Sequence, residues 1–165
     1  MKEQRLISDG GQLEEALKLV PTPQAVISEG IAEAGLGVLL DEELSAALVA
    51  ALAGQGYDTD LDEAMAIGEA QRPLGRIGVD AALMIHEEGG TEDDARAYVE
   101  RWGLRTPARA AHGVRFVTDP TWCAYVITYS AGQDLCEAYI DGDPAKFRTL
   151  LTEQVRVADL LAARA

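Results

Sequence analysis

Histidine, cysteine, aromatic side chains and positive charge are all scarce in this chain, and each shortage removes a class of function. The two histidines, His86 and His112, have no second histidine four residues away. The paired-imidazole spacing with which one helix grips zinc is therefore missing. The two cysteines, Cys123 and Cys136, are expected on one helix. At about 1.5 Å per residue they would stand roughly 20 Å apart, too far for a disulfide. Reduced thiols in the cytoplasm are the expectation. No histidine lies near either in sequence, and mid-helix burial raises a thiol pKa, so a cysteine nucleophile is disfavoured. Aromatic residues make up 5% of the 165, so the core must come from Ala, Leu, Val and Ile. That composition leans helical.

Cations are half as numerous as anions: 14 Lys and Arg against 28 Asp and Glu, a net charge of −14. Such a chain is repelled by nucleic-acid phosphates and by anionic membrane surfaces. Arg96, Arg101, Arg105 and Arg109 recur, but they are interleaved with Glu and Asp and read as a solvated helix face. The longest apolar candidate, Leu44 to Ala53, falls well short of the ~18 residues a membrane span needs. The opening Met1-Lys-Glu-Gln-Arg is charged and has no apolar stretch behind it, so no signal peptide is expected.

Helix punctuation is plentiful. Thr106-Pro107, Asp119-Pro120 and Asp143-Pro144 each set a capping oxygen before a proline at the first helical position. Asp41 and Thr91 read as further caps, and Gly54, Gly89-Gly90 and Gly103 as stops. The pattern predicts one short amphipathic segment over about 2–8 and 12–19, broken by Pro21 and Pro23, and then helices over about 24–40, 42–53, 60–88 with a bend near Pro73, 92–102, 107–117, 121–140 and 144–162 with a break near Thr152. No stretch alternates long enough to argue a sheet. The expected fold is all-α, one domain over 1–165, an array of about seven or eight helices.

Few residues suggest chemistry. In Ser28-Glu29-Gly30-Ile31-Ala32-Glu33 two carboxylates share a helix face among apolar or small neighbours. Such a pair can hold a metal or transfer protons, or simply reach solvent. His86 ends an apolar helix, where an imidazole can interact with the helix C-terminus. Tyr125, Tyr129, Gly132 and Cys136 fall at i, i+4, i+7 and i+11, one helix face. A tyrosine stripe of that kind reads first as packing. Glycine inside a helix costs about 1 kcal/mol against alanine and persists where another helix or a ligand comes close.

In this order the segments resemble the C-terminal part of the bacterial domain-of-unknown-function family 885, helical gluzincin-type proteins similar to zinc metallopeptidases. Glu29-Gly30-Ile31-Ala32 looks like the helix carrying the third zinc ligand, with Ile31 where tryptophan is usual. His86-Glu-Glu-Gly89-Gly90-Thr91, continued by Ala95 and Tyr98, looks like the family's histidine segment. Tyr129-Ser-Ala-Gly132-Gln133 matches its last motif. Ala82 and Met84 stand where the family has aspartate and glycine, and Gly90 replaces a tryptophan. The zinc helix itself would precede Met1.

For a complete relative, the resemblance implies zinc held by Glu29 with two histidines of the missing helix, and a peptide substrate. His86 and Tyr129 would stabilise the transition state, with Glu33 in support and Tyr125 and Gly132 lining the groove. For these 165 residues it implies an incomplete, non-catalytic portion without a zinc ion of its own. A site rebuilt from Glu29, His86 and His112 has no support in their spacing. The alternative is a free-standing helical domain that binds a partner or small ligand in the vacated groove. The expected partners are the missing zinc-helix segment or a second copy, and neither nucleic acid nor membrane.

Overall fold

The computed structural model describes residues 2–17, 19–20 and 22–163, without the side chains of residues 2, 3 and 15. Every regular element among them is helical: α1 Lys2–Ser8, α2 Pro23–Leu39, α3 Glu42–Gly54, α4 Leu61–Gln71, α5 Ile77–His86, α6 Glu92–Trp102, α7 Pro107–Thr118, α8 Val126–Ile140, α9 Pro144–Thr152 and α10 Val157–Ala162. Three 3-10 turns, Leu13–Ala16, Arg72–Arg76 and Cys123–Tyr125, join them. No helix among the described residues is long and apolar enough to cross a membrane.

Side-chain caps set most of the starts. Asp41, Thr106 and Asp143 accept from backbone N–H groups of the first turn. Thr91 and Asp94 exchange bonds in a reciprocal capping box. Thr22 before Pro23, and Asp60, cap α2 and α4 in the same way. At Pro73 the chain tightens into the 3-10 turn between α4 and α5, because proline cannot donate the bond that would continue the α-helix. The expected break near Thr152 separates α9 from α10.

Three local expectations change. The segment expected over 12–19 is a single 3-10 turn, with Leu13, Leu17 and Leu19 at least 70% exposed; Lys18, like Pro21, lies outside the described residues. Asp119 caps a turn and not an α-helix: its side chain accepts from Thr121 N–H and its carbonyl from Cys123 N–H. The α-helix therefore begins at Val126. Cys123 and Cys136 are consequently on different elements, and neither forms a disulfide among the described residues.

The helices bury two clusters. In the first, Ile27 and Ala34 of α2 pack with Leu135, Cys136 and Ile140 of α8, Phe147 and Leu150 of α9 and Leu160 of α10. In the second, Ala81 of α5, Ala95 and Val99 of α6 and Ala110 and Val114 of α7 interlock, with Tyr98 donating to Asp80 at 2.9 Å. The two are tied together where Arg72 and Arg76 of the proline turn pair with Asp134 of α8, Arg72 also reaching Glu137. Helix α3 buries none of its residues.

Helices α2 and α8 touch backbone to backbone. A Cβ added at Gly30 would lie 2.1 Å from the Gly132 oxygen and 2.7 Å from Cys136 Sγ. One added at Gly132 would lie 2.3 Å from the Val26 oxygen. Gly132 persists mid-helix because another helix passes over it, and its counterpart is Gly30. This crossing fixes everything on the face beside it.

Candidate functional site at the α2–α8 seam

Immediately beside the glycine crossing, α2 presents Glu29 and Glu33, while Tyr125 comes from the end of the 3-10 turn before α8 and Tyr129 from the first turn of α8. The Tyr125 hydroxyl donates to Glu29 Oε1 at 2.5 Å. Tyr129 meets the Tyr125 ring edge-on, with centroids 5.4 Å apart. The aromatic contact continues through Trp122, 5.9 Å from Tyr125, to Phe116 of α7, 6.2 Å from Trp122. Nearly half of the nine aromatic residues in the chain thus form one ladder that holds the entrance of α8 against α7 and α2.

The phenols feel the carboxylates. The hydrogen bond to Glu29, aided by burial and by its charge, pushes Tyr125 up to about 12. Tyr129 is also raised, first by burial and then by the charges of Glu29 and Glu33, against a smaller opposing effect of the Tyr125 hydroxyl. Near neutral pH both are therefore firmly protonated donors beside two acids.

Two clefts open along the seam. The smaller, about 200 Å³, lies between Glu29, Ser28 and Tyr125 and the incoming Leu19 and Val20. The larger, about 550 Å³, is lined by Glu33, Tyr129, Ser130 and Gln133 together with Arg72 and Arg76 of the proline turn. Gln133 donates to Glu137 at 2.8 Å, which extends the polar wall. Arg76 is 66% exposed and bonds only Asp134 among the described residues. A guanidinium carries five N–H groups, so most of its donors remain for a ligand.

Glu29, Glu33, Tyr125, Tyr129 and Gly132 are thus gathered at one seam. His86 lines neither cleft. Its Nε2–H donates to the Val117 carbonyl at 2.7 Å, joining the end of α5 to the last turn of α7. The helix C-terminus it meets belongs to α7 and not to its own helix. His112 lines a separate cleft between α5 and α7. The sequence reading overlooked Arg72, Arg76 and Asp134; no spacing signal joins residues so far apart in the chain. The four arginines taken as one solvated face also diverge: Arg96 pairs with Asp93, Arg101 lies 5.0 Å over Trp102, and Arg105 and Arg109 border the His112 cleft.

The zinc implied by the resemblance does not fit these donors. Glu29 offers one carboxylate with Oε1 already engaged by Tyr125. No group of three or more His, Cys, Asp or Glu among the described residues is arranged to hold a metal, Glu29, His86 and His112 included. A catalytic zinc needs about three protein ligands and an open position. Comparison with protein-family models, curated proteins and solved structures finds no match to this chain.

Proposed function

We propose that the chain is a non-catalytic helical binding domain that holds a short peptide or other small zwitterion in the larger α2–α8 cleft. One observation carries the reading. A cleft of about 550 Å³ has an acid and a protonated phenol, Glu33 and Tyr129, among its lining groups, and a largely unengaged guanidinium, Arg76, as well. A ligand amine suits the first pair, through charge and the ring face. A ligand carboxylate suits the fork of the arginine. The volume lies in the range of small-molecule sites.

The metallopeptidase-like resemblance enters as an account of the scaffold. Its support is that the Glu29-Gly30 and Tyr129–Gly132 segments, distant in sequence, pack at one crossing. The donor set gives no support to hydrolysis by these residues alone.

Calorimetric titration of the 165-residue chain with dialanine tests the proposal. Binding should weaken at least several-fold when the peptide is N-acetylated or C-amidated, and in Glu33→Gln and Arg76→Gln variants. Absence of binding by every uncapped dipeptide tried, or indifference to both caps, would overturn it.

A further inference from the structure

The cleft between α5 and α7 joins an apolar wall to a basic border. It encloses about 550 Å³ and is walled by Ile77, Ala81 and Val99. Arg105, Arg109 and His112 stand at its border, and no Asp or Glu lines it. That is unexpected in a chain with twice as many acids as bases. Five arginines elsewhere are engaged: Arg72, Arg76, Arg96 and Arg156 with carboxylates, Arg101 with an indole ring. The guanidiniums of Arg105 and Arg109 have neither an ion pair nor a side-chain hydrogen bond among the described residues. Gly113, where an added Cβ would meet nothing within 4 Å, leaves room beside them.

We infer that this cleft binds an amphipathic organic anion, a carboxylate carried on an alkyl chain. The apolar wall takes the chain, and Arg105 and Arg109, with His112 beside them, take the head. Two guanidiniums offer the paired N–H geometry that suits carboxylate oxygens. Burying the alkyl chain removes apolar surface of both partners from water. A free anion without that chain would use only the charged rim, and an uncharged alcohol only the wall. The site is independent of the α2–α8 cleft: it shares only Gly75 with that lining.

Octanoate, octan-1-ol and acetate are the probes, titrated into the full chain by calorimetry. Octanoate should bind at least tenfold more tightly than either of the others. The double variant Arg105→Gln/Arg109→Gln removes the charge at exposed positions. Gly113→Leu fills the cleft and replaces a helix-interior glycine. Each should weaken octanoate binding at least tenfold, with the thermal melt unchanged or raised and with dialanine binding unaffected. Octanoate binding no tighter than octan-1-ol or acetate, or unaltered in both variants, would overturn the inference.

Discussion

Replacing Gly30 with alanine isolates the contact on which the seam is built. The new methyl carbon would stand 2.1 Å from the Gly132 oxygen and 2.4 Å from its carbonyl carbon, where ordinary contact begins at 3.4 Å. Both obstacles are backbone, so no rotamer change relieves them. The helices must part locally by about 1.3 Å, the difference between those distances. A gap of about 1 Å already forfeits a quarter to a half of the dispersion energy between facing atoms. The pairs affected include Ile27, Leu135 and Cys136, all buried. Overpacking typically costs about 1–3 kcal/mol, and backbone obstruction places this case at or above the upper end. Alanine returns about 1 kcal/mol of helix propensity. The net expectation is a loss of about 2–4 kcal/mol. Gly37 is the control: it lies on the same helix, and a Cβ there meets nothing within 4 Å. Gly37→Ala should gain about 0.5–1 kcal/mol. Urea unfolding followed by far-ultraviolet circular dichroism measures both. A Gly30→Ala protein as stable as the parent would refute the backbone contact.

Other consequences are equally open to measurement. Tyr125 has its folded value raised from 10.0 to about 12, so its bond to Glu29 contributes stability that is complete below pH 10 and is lost as pH climbs through about 12. In a spectrophotometric titration Glu29→Gln should bring one late-titrating tyrosine back toward 10; an unaltered curve would remove the bond. Tyr125→Phe should cost about 1 kcal/mol at neutral pH by leaving a partly buried carboxylate without its donor, as urea unfolding would register. Elemental analysis of the purified chain, dialysed against zinc, should find far less than one ion per chain; stoichiometric zinc that disappears in Glu29→Ala would contradict the reading of the donors. Helix α3, which buries no residue, should exchange its amide hydrogens well before α2 and α8, because a helix of that length is marginal without packing; equal protection would show that something covers it.

What sequence could reveal here was local. Asp41, Thr91, Thr106-Pro107 and Asp143-Pro144 start helices because cap and first turn lie within three residues of each other, a range over which spacing is informative. Asp119-Pro120 carries the same signal but closes only a turn, since Trp122 and Tyr125 are drawn into the aromatic ladder and the α-helix starts after them. Glycine 132 was legible as a place of close approach, whereas its partner Gly30 was hidden inside a segment read for its carboxylates. The bond from His86 to Val117 and the pairing of Arg72 with Asp134 depend on how α5, α7 and α8 dock. No periodicity encodes such pairings. The separation of Arg105 and Arg109 from acids is different: although grouped with Arg96 and Arg101 as one face interleaved with acids, they lie in a stretch with no Asp or Glu between Glu100 and Asp119, so the sequence already carries it.

Amide resonances of the isotopically labelled chain, followed while dialanine is added, test the binding account most directly. Saturating shifts should concentrate at Glu33, Arg72–Arg76 and Tyr129–Asp134, and should vanish with the doubly capped peptide. Shifts scattered over the surface, confined to α5–α7, or absent at millimolar peptide would contradict it.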